Sequence, residues 1–154
     1  MLHAGDVVAQ PVPGGALAVL LDSDATQGRL GVIEQTVAAR TPGPPLHTHP
    51  DFDELFFVQD GTPEFRVADE SVAAAPGSLV YVPRGTPHTF SNLGPLPARL
   101  TIVVSPGGFE GYFKALMAGS VAGRSFTETE LLSLRAEHGS IPASSDLVTA
   151  RRPA

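Results

Sequence analysis

Two stretches decide the fold: residues 47–61 read HTHPDFDELFFVQDG, and residues 77–92 read GSLVYVPRGTPHTFSN. Three of the five histidines of the chain lie in this window, at positions 47, 49 and 88. Residues i and i+2 of a strand point to the same face, so His47 and His49 can be directed to one point. Glu54 and His88 follow across a turn and a hairpin. Three imidazoles and one carboxylate that converge are typical of a site for a first-row divalent metal ion.

The turn chemistry between apolar runs indicates an all-β domain. Sixteen glycines and fifteen prolines make up about a fifth of the 154 residues, and they recur between short apolar runs. Strands every 8 to 12 residues, without long helices between them, are typical of a sandwich or barrel, and we favour a double-sheet jelly roll. The predicted strands are residues 6–10, 16–21, 29–38, 46–49, 54–58, 65–67, 71–75, 79–82, 88–92 and 99–104.

The two stretches resemble the two motifs of the cupin family. His47 to Gly61 has the spacing His-x-His-x4-Glu-x6-Gly, and Gly77 to Asn92 has the spacing Gly-x5-Pro-x-Gly-x2-His-x3-Asn. The first motif departs at its opening glycine, because Thr41 occupies that position and Gly43 follows two residues later. The resemblance implies a cupin jelly-roll β-barrel, also called a double-stranded β-helix, of the small single-domain kind. It also implies that one divalent transition metal ion (Fe, Mn, Ni, Co, Cu or Zn) is bound by His47, His49, Glu54 and His88.

The pattern changes after residue 105, and it predicts two C-terminal helices. Apolar residues from Phe109 to Met117 share one helical face, and Gly119 is a plausible stop. Thr127 with Glu130 forms a capping box for a second helix that ends at Gly139. We therefore expect a single domain over 1–154, with a barrel core at 28–105, helices at 106–139 and a polar tail at 140–154. The aromatic face of the first helix is interpreted as packing against the barrel; the alternative is a lid contributing Phe109, Tyr112 or Phe113.

Composition and charge exclude several classes of partner. The formal net charge is −6 and the chain has a single lysine, Lys114, so no basic patch is available for nucleic acid. Cysteine is absent, which excludes disulfides, thiolate ligands and a cysteine nucleophile. No signal peptide and no membrane span is evident, and the expectation is a cytoplasmic protein.

The resemblance favours a quercetinase-like dioxygenase, with Glu54 as metal ligand and as general base for a substrate hydroxyl. Two alternatives stay open: a non-oxidative cyclase, isomerase or decarboxylase that uses the metal as a Lewis acid, and a small-molecule-binding cupin without turnover. Few fixed charges flank the ligands, so we expect an apolar or aromatic small-molecule substrate. No separate cofactor-binding residue is predicted, and a homodimer is expected by resemblance to small cupins. His3 and His138 are assigned no role, Arg84 is expected to be solvated, and Gly85 and Asn92 are interpreted as structural.

Overall fold

The computed structural model describes residues 6–143, and these form two antiparallel β-sheets followed by two helices. The strands, in chain order, are β1 Gln10–Val12, β2 Gly15–Leu21, β3 Gly31–Val37, β4 His47–Thr48, β5 Asp53–Asp60, β6 Glu64–Val67, β7 Glu70–Ala73, β8 Leu79–Val82, β9 His88–Ser91, β10 Ala98–Ser105 and β11 Ile141–Pro142. The helices are α1 Glu110–Val121 and α2 Glu128–Glu137, and a short 3-10 turn covers Ser23–Thr26.

The strands divide into a six-stranded sheet of order β1-β2-β3-β10-β5-β8 and a five-stranded sheet of order β11-β4-β9-β6-β7. Aromatic side chains of the two sheets meet between them: the Phe56 ring lies 5.1 Å from Phe65 and 5.5 Å from Phe90. The prediction of an all-β double-sheet jelly roll with two C-terminal helices is confirmed. Among residues 6–143 the sheets face each other without closing into a continuous hydrogen-bonded barrel.

Alternation along the central strands places one acidic residue in the core. Phe56 and Val58 of β5 point inward and are 1% and 0% exposed. Glu54 lies two residues before Phe56 on the same face, and it is only 3% exposed. The strand that supplies the apolar core therefore also carries a carboxylate into it.

The first strand and the first helix depart from the sequence prediction. The edge strand β1 lies at Gln10–Val12 instead of residues 6–10, and it contains Pro11. An edge strand tolerates proline because one side of its backbone needs no ladder partner. Helix α1 continues through Gly119, so the predicted stop is wrong. A Cβ at Gly119 would overlap the Phe126 ring, which shows that this glycine permits a close approach instead of ending the helix.

The second helix begins as predicted. The Glu130 amide donates to Thr127 Oγ1 over 3.2 Å, and the Thr127 amide donates to Glu130 Oε2 over 2.8 Å, which is a complete capping box. No helix within residues 6–143 is long and apolar enough to cross a membrane.

The segment after α2 is more ordered than the polar composition suggested. Ser140 is buried, and β11 pairs antiparallel with β4 through Ile141↔Thr48 and Pro142↔His47. The predicted tail from residue 140 is therefore wrong for its first residues, because backbone pairing with the free edge of β4 holds them. The remainder of that segment, 144–154, lies outside the described residues.

Candidate metal centre

Both sheets contribute to one cluster of polar side chains. His47 begins β4 and His49 follows its last residue, and His88 begins the adjacent strand β9, where it is paired directly with His47. Glu54 approaches from β5 of the facing sheet. Strand alternation, pairing register and the stacking of the two sheets thus bring together all four residues that the sequence singled out.

The cluster is compact and nearly closed to solvent. One ligand atom from each of the four residues lies within 4.8 Å of every other, so the group could hold a metal ion. The histidines are 8%, 2% and 2% exposed in sequence order. Their ring centroids are separated by 4.3 Å to 5.0 Å.

Hydrogen bonds to the backbone fix the same tautomer in all three histidines. Each Nδ1 faces a carbonyl oxygen, at 2.8 Å from Pro45 for His47, 3.1 Å from Gly139 for His49 and 2.9 Å from Thr86 for His88. A carbonyl oxygen only accepts, so each Nδ1 donates its proton. When such a ring carries a single proton, its Nε2 lone pair therefore points away from the carbonyl.

Those lone pairs face a carboxylate instead of a proton donor. Glu54 Oε2 lies 3.0 Å from His88 Nε2 and 3.2 Å from His49 Nε2, and His49 Nε2 is buried without a hydrogen-bond donor. With the protons on Nδ1, these contacts bring electron pairs together. Such an arrangement is favourable when a cation lies between the donor atoms, which is how metal-ligating histidines are commonly oriented.

The ionisation states also suit a cation. Burial, together with positive charge on the neighbouring His88 and His49 rings, lowers the pKa of His47 to about 3, so this ring is neutral. Burial raises the pKa of Glu54, but hydrogen bonds and positive charge from His49 and His88 outweigh it and bring the pKa to about 2, so the carboxylate stays ionised when a proton or another cation lies between these groups. Neutral nitrogens with one ionised carboxylate are a donor set that fits a first-row divalent ion.

Aromatic rings hold His49 on both sides. Phe52 stacks on the imidazole with a centroid separation of 4.3 Å and an interplanar angle of 25°. Phe109, at the start of α1, lies 4.8 Å from the same ring. The imidazole is thereby packed between a loop of the sheet and the C-terminal helical region.

A cavity of about 160 Å³ opens beside His47 and Glu54. Helix α1 supplies part of its wall, and α2 adds Arg135. All three aromatic residues proposed for a lid line this cavity: Phe109, Tyr112 and Phe113. Because they are also buried, α1 both packs on the sheets and encloses the site. The volume is below the range of about 300–1,000 Å³ that is usual for ligand pockets, so this closed form fits a compact ligand.

The remaining motif residues have structural roles. Asn92 donates from Nδ2 to the carbonyls of Val37, Ala38 and Leu96 and thereby ties a loop to β3. Gly85 has a φ of 75°, and its amide donates to the His49 carbonyl.

The altered opening of the first motif is also explained by backbone contacts. Thr41 forms a β-bridge with Asn92, with both amide-to-carbonyl distances at 2.9 Å. Gly43 has a φ of 74°, and a Cβ there would overlap the Phe90 carbonyl. The glycine that this turn requires is therefore Gly43, two residues later than the resemblance indicates.

Arg84, His138 and His3 were given no part in the metal site by the sequence analysis. Arg84 forms an exposed ion pair with Asp53, and the His138 ring packs against Gly111 of α1. His3 lies outside the described residues. The sequence interpretation missed Arg135 and the Gly139 carbonyl, because the packing of α2 brings the first to the site and the path of the chain after α2 brings the second.

Comparison with known proteins supports one superfamily. Residues 33–104, from β3 to β10, match the family model described as Cupin domain. The chain is 34% identical over 98 residues to the tetracenomycin polyketide synthase protein TcmJ of Streptomyces glaucescens. That match covers 60% of this chain and 62% of the relative, so the chain spans less than two thirds of the relative's length.

Solved structures share the fold at low identity. The polyketide cyclase RemF from Streptomyces resistomycificus matches with a TM-score of 0.58 and 22% identity over 68% of this chain and 78% of its own. KdgF from Halomonas sp. matches with a TM-score of 0.59 and 20% identity over 69% of this chain and 92% of its own. The Cupin domain match and these shared folds agree with the cupin-like fold that the two sequence motifs predict. At these identities the solved structures are evidence for the fold alone.

Proposed function

We propose that the protein is a metal-dependent cyclase that acts on an enolisable, polyketide-like small molecule, with His47, His49, Glu54 and His88 as metal ligands. One observation carries the proposal: the Nε2 atoms of His49 and His88 face the buried Glu54 carboxylate, and His47 and Glu54 line a cavity beside them. The similarity to a polyketide synthase protein directs the choice of substrate class. This is the non-oxidative alternative of the sequence analysis, and nothing in the site specifically supports the dioxygenase.

A divalent ion at this centre would supply Lewis acidity that makes a proton between two substrate carbonyls more acidic. Glu54 is ionised at neutral pH, and both of its short contacts with histidine go through Oε2. We infer that Oε1 accepts the acidified proton from the substrate carbon. That carbon then attacks a second carbonyl of the same molecule, and the proton returns to the alkoxide oxygen to give a hydroxyl. The second proton of the same carbon is then removed and transferred to the hydroxyl, which leaves as water as the ring double bond forms.

The enclosing residues direct this chemistry. Phe109, Tyr112 and Phe113 exclude water from the cavity and offer flat surfaces to an aromatic product. A folded chain of carbonyls is close in shape to the ring it forms, so a small, rigid cavity favours ring closure by holding the reacting carbons together.

The test measures metal content and turnover in one preparation. Natively purified protein is analysed for bound metal and incubated with a synthetic 1,3,5,7-tetraketone, with and without oxygen, while aromatic product and oxygen uptake are followed. We expect one divalent ion per chain and product formation at equal rates in both atmospheres. Oxygen uptake that matches product, on the tetraketone or on a flavonol, would identify a dioxygenase. A metal-loaded protein that binds but never converts either compound would identify a binding protein.

We also propose that the chain forms a homodimer. Apolar side chains are exposed at the β8 edge of the six-stranded sheet, where Leu79 is 61% and Tyr81 53% exposed, beside Phe57 of β5. Light scattering at micromolar concentration should give twice the 16.0 kDa chain mass, and a monomeric mass would contradict it.

A further inference from the structure

Arg135 is a cation in the cavity wall that the proposed mechanism does not use. It lies in the last turn of α2, is half-buried and lines the same cavity as His47 and Glu54. Its Nε donates to Tyr112 Oη over 3.1 Å, and its guanidinium carbon lies 5.7 Å from the centre of the Tyr112 ring. The cavity therefore has a positive charge at its helical wall.

Three cations of the described chain are paired with carboxylates; Arg135 has no such partner among residues 6–143, and it differs from the other unpaired arginines there in lining the cavity. Arg84 pairs with Asp53, Lys114 with Asp22, and Arg124 with Glu130. Within residues 6–143, no carboxylate lies within ion-pair distance of Arg135. A guanidinium has five N–H donors in a planar fork, and the one hydrogen bond seen here uses Nε alone. The Nη groups are thus available to a ligand in the cavity.

The charges around the cavity also favour an anionic ligand. Among the described residues lining the cavity, Glu54 and Arg135 are the ones with a full charge, and the Glu54 carboxylate is turned toward the histidines. A divalent ion held by neutral imidazoles and one carboxylate keeps a positive charge. With Arg135 added, the cavity favours an anionic ligand over a neutral one.

We propose that Arg135 binds an anionic oxygen of the substrate, either a carboxylate or the enolate of a 1,3-dicarbonyl, while the reacting carbonyl lies toward Glu54. The substrate's reaction rests on the proposed cyclase function, whereas the anion preference rests on Arg135 itself. The two donors of a guanidinium edge match two oxygens in one plane, which both of these groups present.

Tyr112 positions the guanidinium and connects it to the metal centre. The Tyr112 ring stacks on Phe109 with a centroid separation of 5.4 Å and an angle of 16°, and Phe109 contacts the His49 ring. A continuous aromatic wall therefore runs from Arg135 to the histidines. A flat ligand lying on this wall can reach both the guanidinium and the metal ligands.

Calorimetric binding of three probes tests the proposal: benzoate for a carboxylate, acetylacetone for an enolate, and benzamide as the neutral isostere of benzoate. The wild-type protein should bind benzoate or acetylacetone more tightly than benzamide. Arg135→Gln should weaken the preferred anion about tenfold or more, as for a hydrogen-bonded charge, and leave benzamide within about threefold. The anion whose affinity falls more in Arg135→Gln identifies the group, carboxylate or enolate, that Arg135 binds. Tyr112→Phe, which removes the Nε acceptor but keeps the ring, should give a smaller loss in the same direction.

Arg124→Gln is the matched control, since it removes an exposed arginine that pairs with Glu130 in the same helical region. It should bind all three probes as the wild type does. Equal losses for benzoate and benzamide in Arg135→Gln, a wild type without anion preference, or no binding of any probe would each overturn the proposal. Repeating the titrations after chelator treatment separates the two proposals. A natively purified wild type without metal would refute the cyclase. A preference for anions that persists without metal and depends on Arg135 would still support this site.

Discussion

The three histidines of the centre are oriented by two different regions of the molecule. His47 and His88 each donate to a carbonyl two residues earlier in the chain, at Pro45 and Thr86. His49 instead donates to the carbonyl of Gly139, which lies 90 residues later, after α2. Two of the proposed ligands are thus positioned locally by the residues just before their own strands, whereas the third depends on the C-terminal segment.

This difference couples the enclosure of the cavity to the metal centre. The region that contains Gly139 also supplies β11, which pairs with the strand that bears His47 and His49. Phe109 of the same region packs on the His49 ring. Loosening the helical region should therefore disturb His49 and leave the orientation of His47 and His88 intact.

The largest expected effect comes from His49→Ala, which removes the ligand shared by both regions. Loss of an outer hydrogen-bond partner alone typically reduces metal affinity by about 10–100-fold, so loss of the ligand should reduce it by more than about 100-fold. The apolar core does not depend on His49, so circular dichroism should remain that of the wild type. Metal content after dialysis against a mild chelator measures the effect.

His138→Ala serves as the control, because this ring packs on Gly111 and its Nδ1 donates to the Leu134 carbonyl outside the centre. It should retain a full equivalent of metal. A His49→Ala protein that retained as much would show that the four side chains do not act as one site.

Phe109→Ala should have the next largest effect, on stability. The ring is 6% exposed and contacts His49, Phe52, Tyr112 and Phe113, so its removal leaves a cavity. We expect the free energy of unfolding to fall by about 3–5 kcal/mol, measured by urea denaturation of the chelator-treated protein. Metal affinity should also fall, since the imidazole loses one packing surface.

Leu93→Ala is the control, since this large apolar side chain is 64% exposed and is not part of the proposed dimer patch. Its loss should lower the free energy of unfolding by less than about 1 kcal/mol and leave metal affinity unchanged. Similar losses in both variants would mean that α1 is not docked on the sheets as described.

Asn92→Ala tests whether this motif residue supports the fold or the metal site. Three carbonyls, of Val37, Ala38 and Leu96, lose their shared donor, at a cost of about 1–3 kcal/mol for buried groups left unpaired. Asn92→Asp, which keeps the size but not the N–H donor, should be at least as destabilising. Metal content should stay at one equivalent in both, and its loss without a change in stability would contradict the structural role.

The site residues contributed by the two sheets could be predicted from the sequence, whereas those contributed by the helical region could not. Strand period predicts that His47 and His49 point to one face, and the resemblance to the cupin motifs adds Glu54 and His88 to them. Arg135 carries no comparable signal, because one arginine in the last turn of a helix is usually solvated or serves the helix end. The role of Gly139 lies in its backbone carbonyl, which no side-chain pattern encodes. Likewise, Gly119 resembled a helix stop because the Phe126 ring that explains it comes from the next element.

Gly139→Ala should have the smallest effect and tests the coupling most directly. Gly139 has a φ of 80°, and an added Cβ would meet only Phe52 Cε1 at 3.5 Å, an ordinary contact. The cost is therefore the left-handed backbone, about 1–2 kcal/mol in the free energy of unfolding.

Gly123→Ala is the matched control, because Gly123 has a φ of 70° with nothing within 4 Å and lies after α1, away from His49. Thermal denaturation should show similar losses for both variants. Competition with a chromogenic chelator should show weaker metal binding, by about tenfold, in Gly139→Ala alone, because strain at residue 139 displaces the carbonyl that orients His49. Equal metal affinities in the two variants would mean that His49 is held by its aromatic neighbours and that the C-terminal segment encloses the cavity without controlling the metal centre.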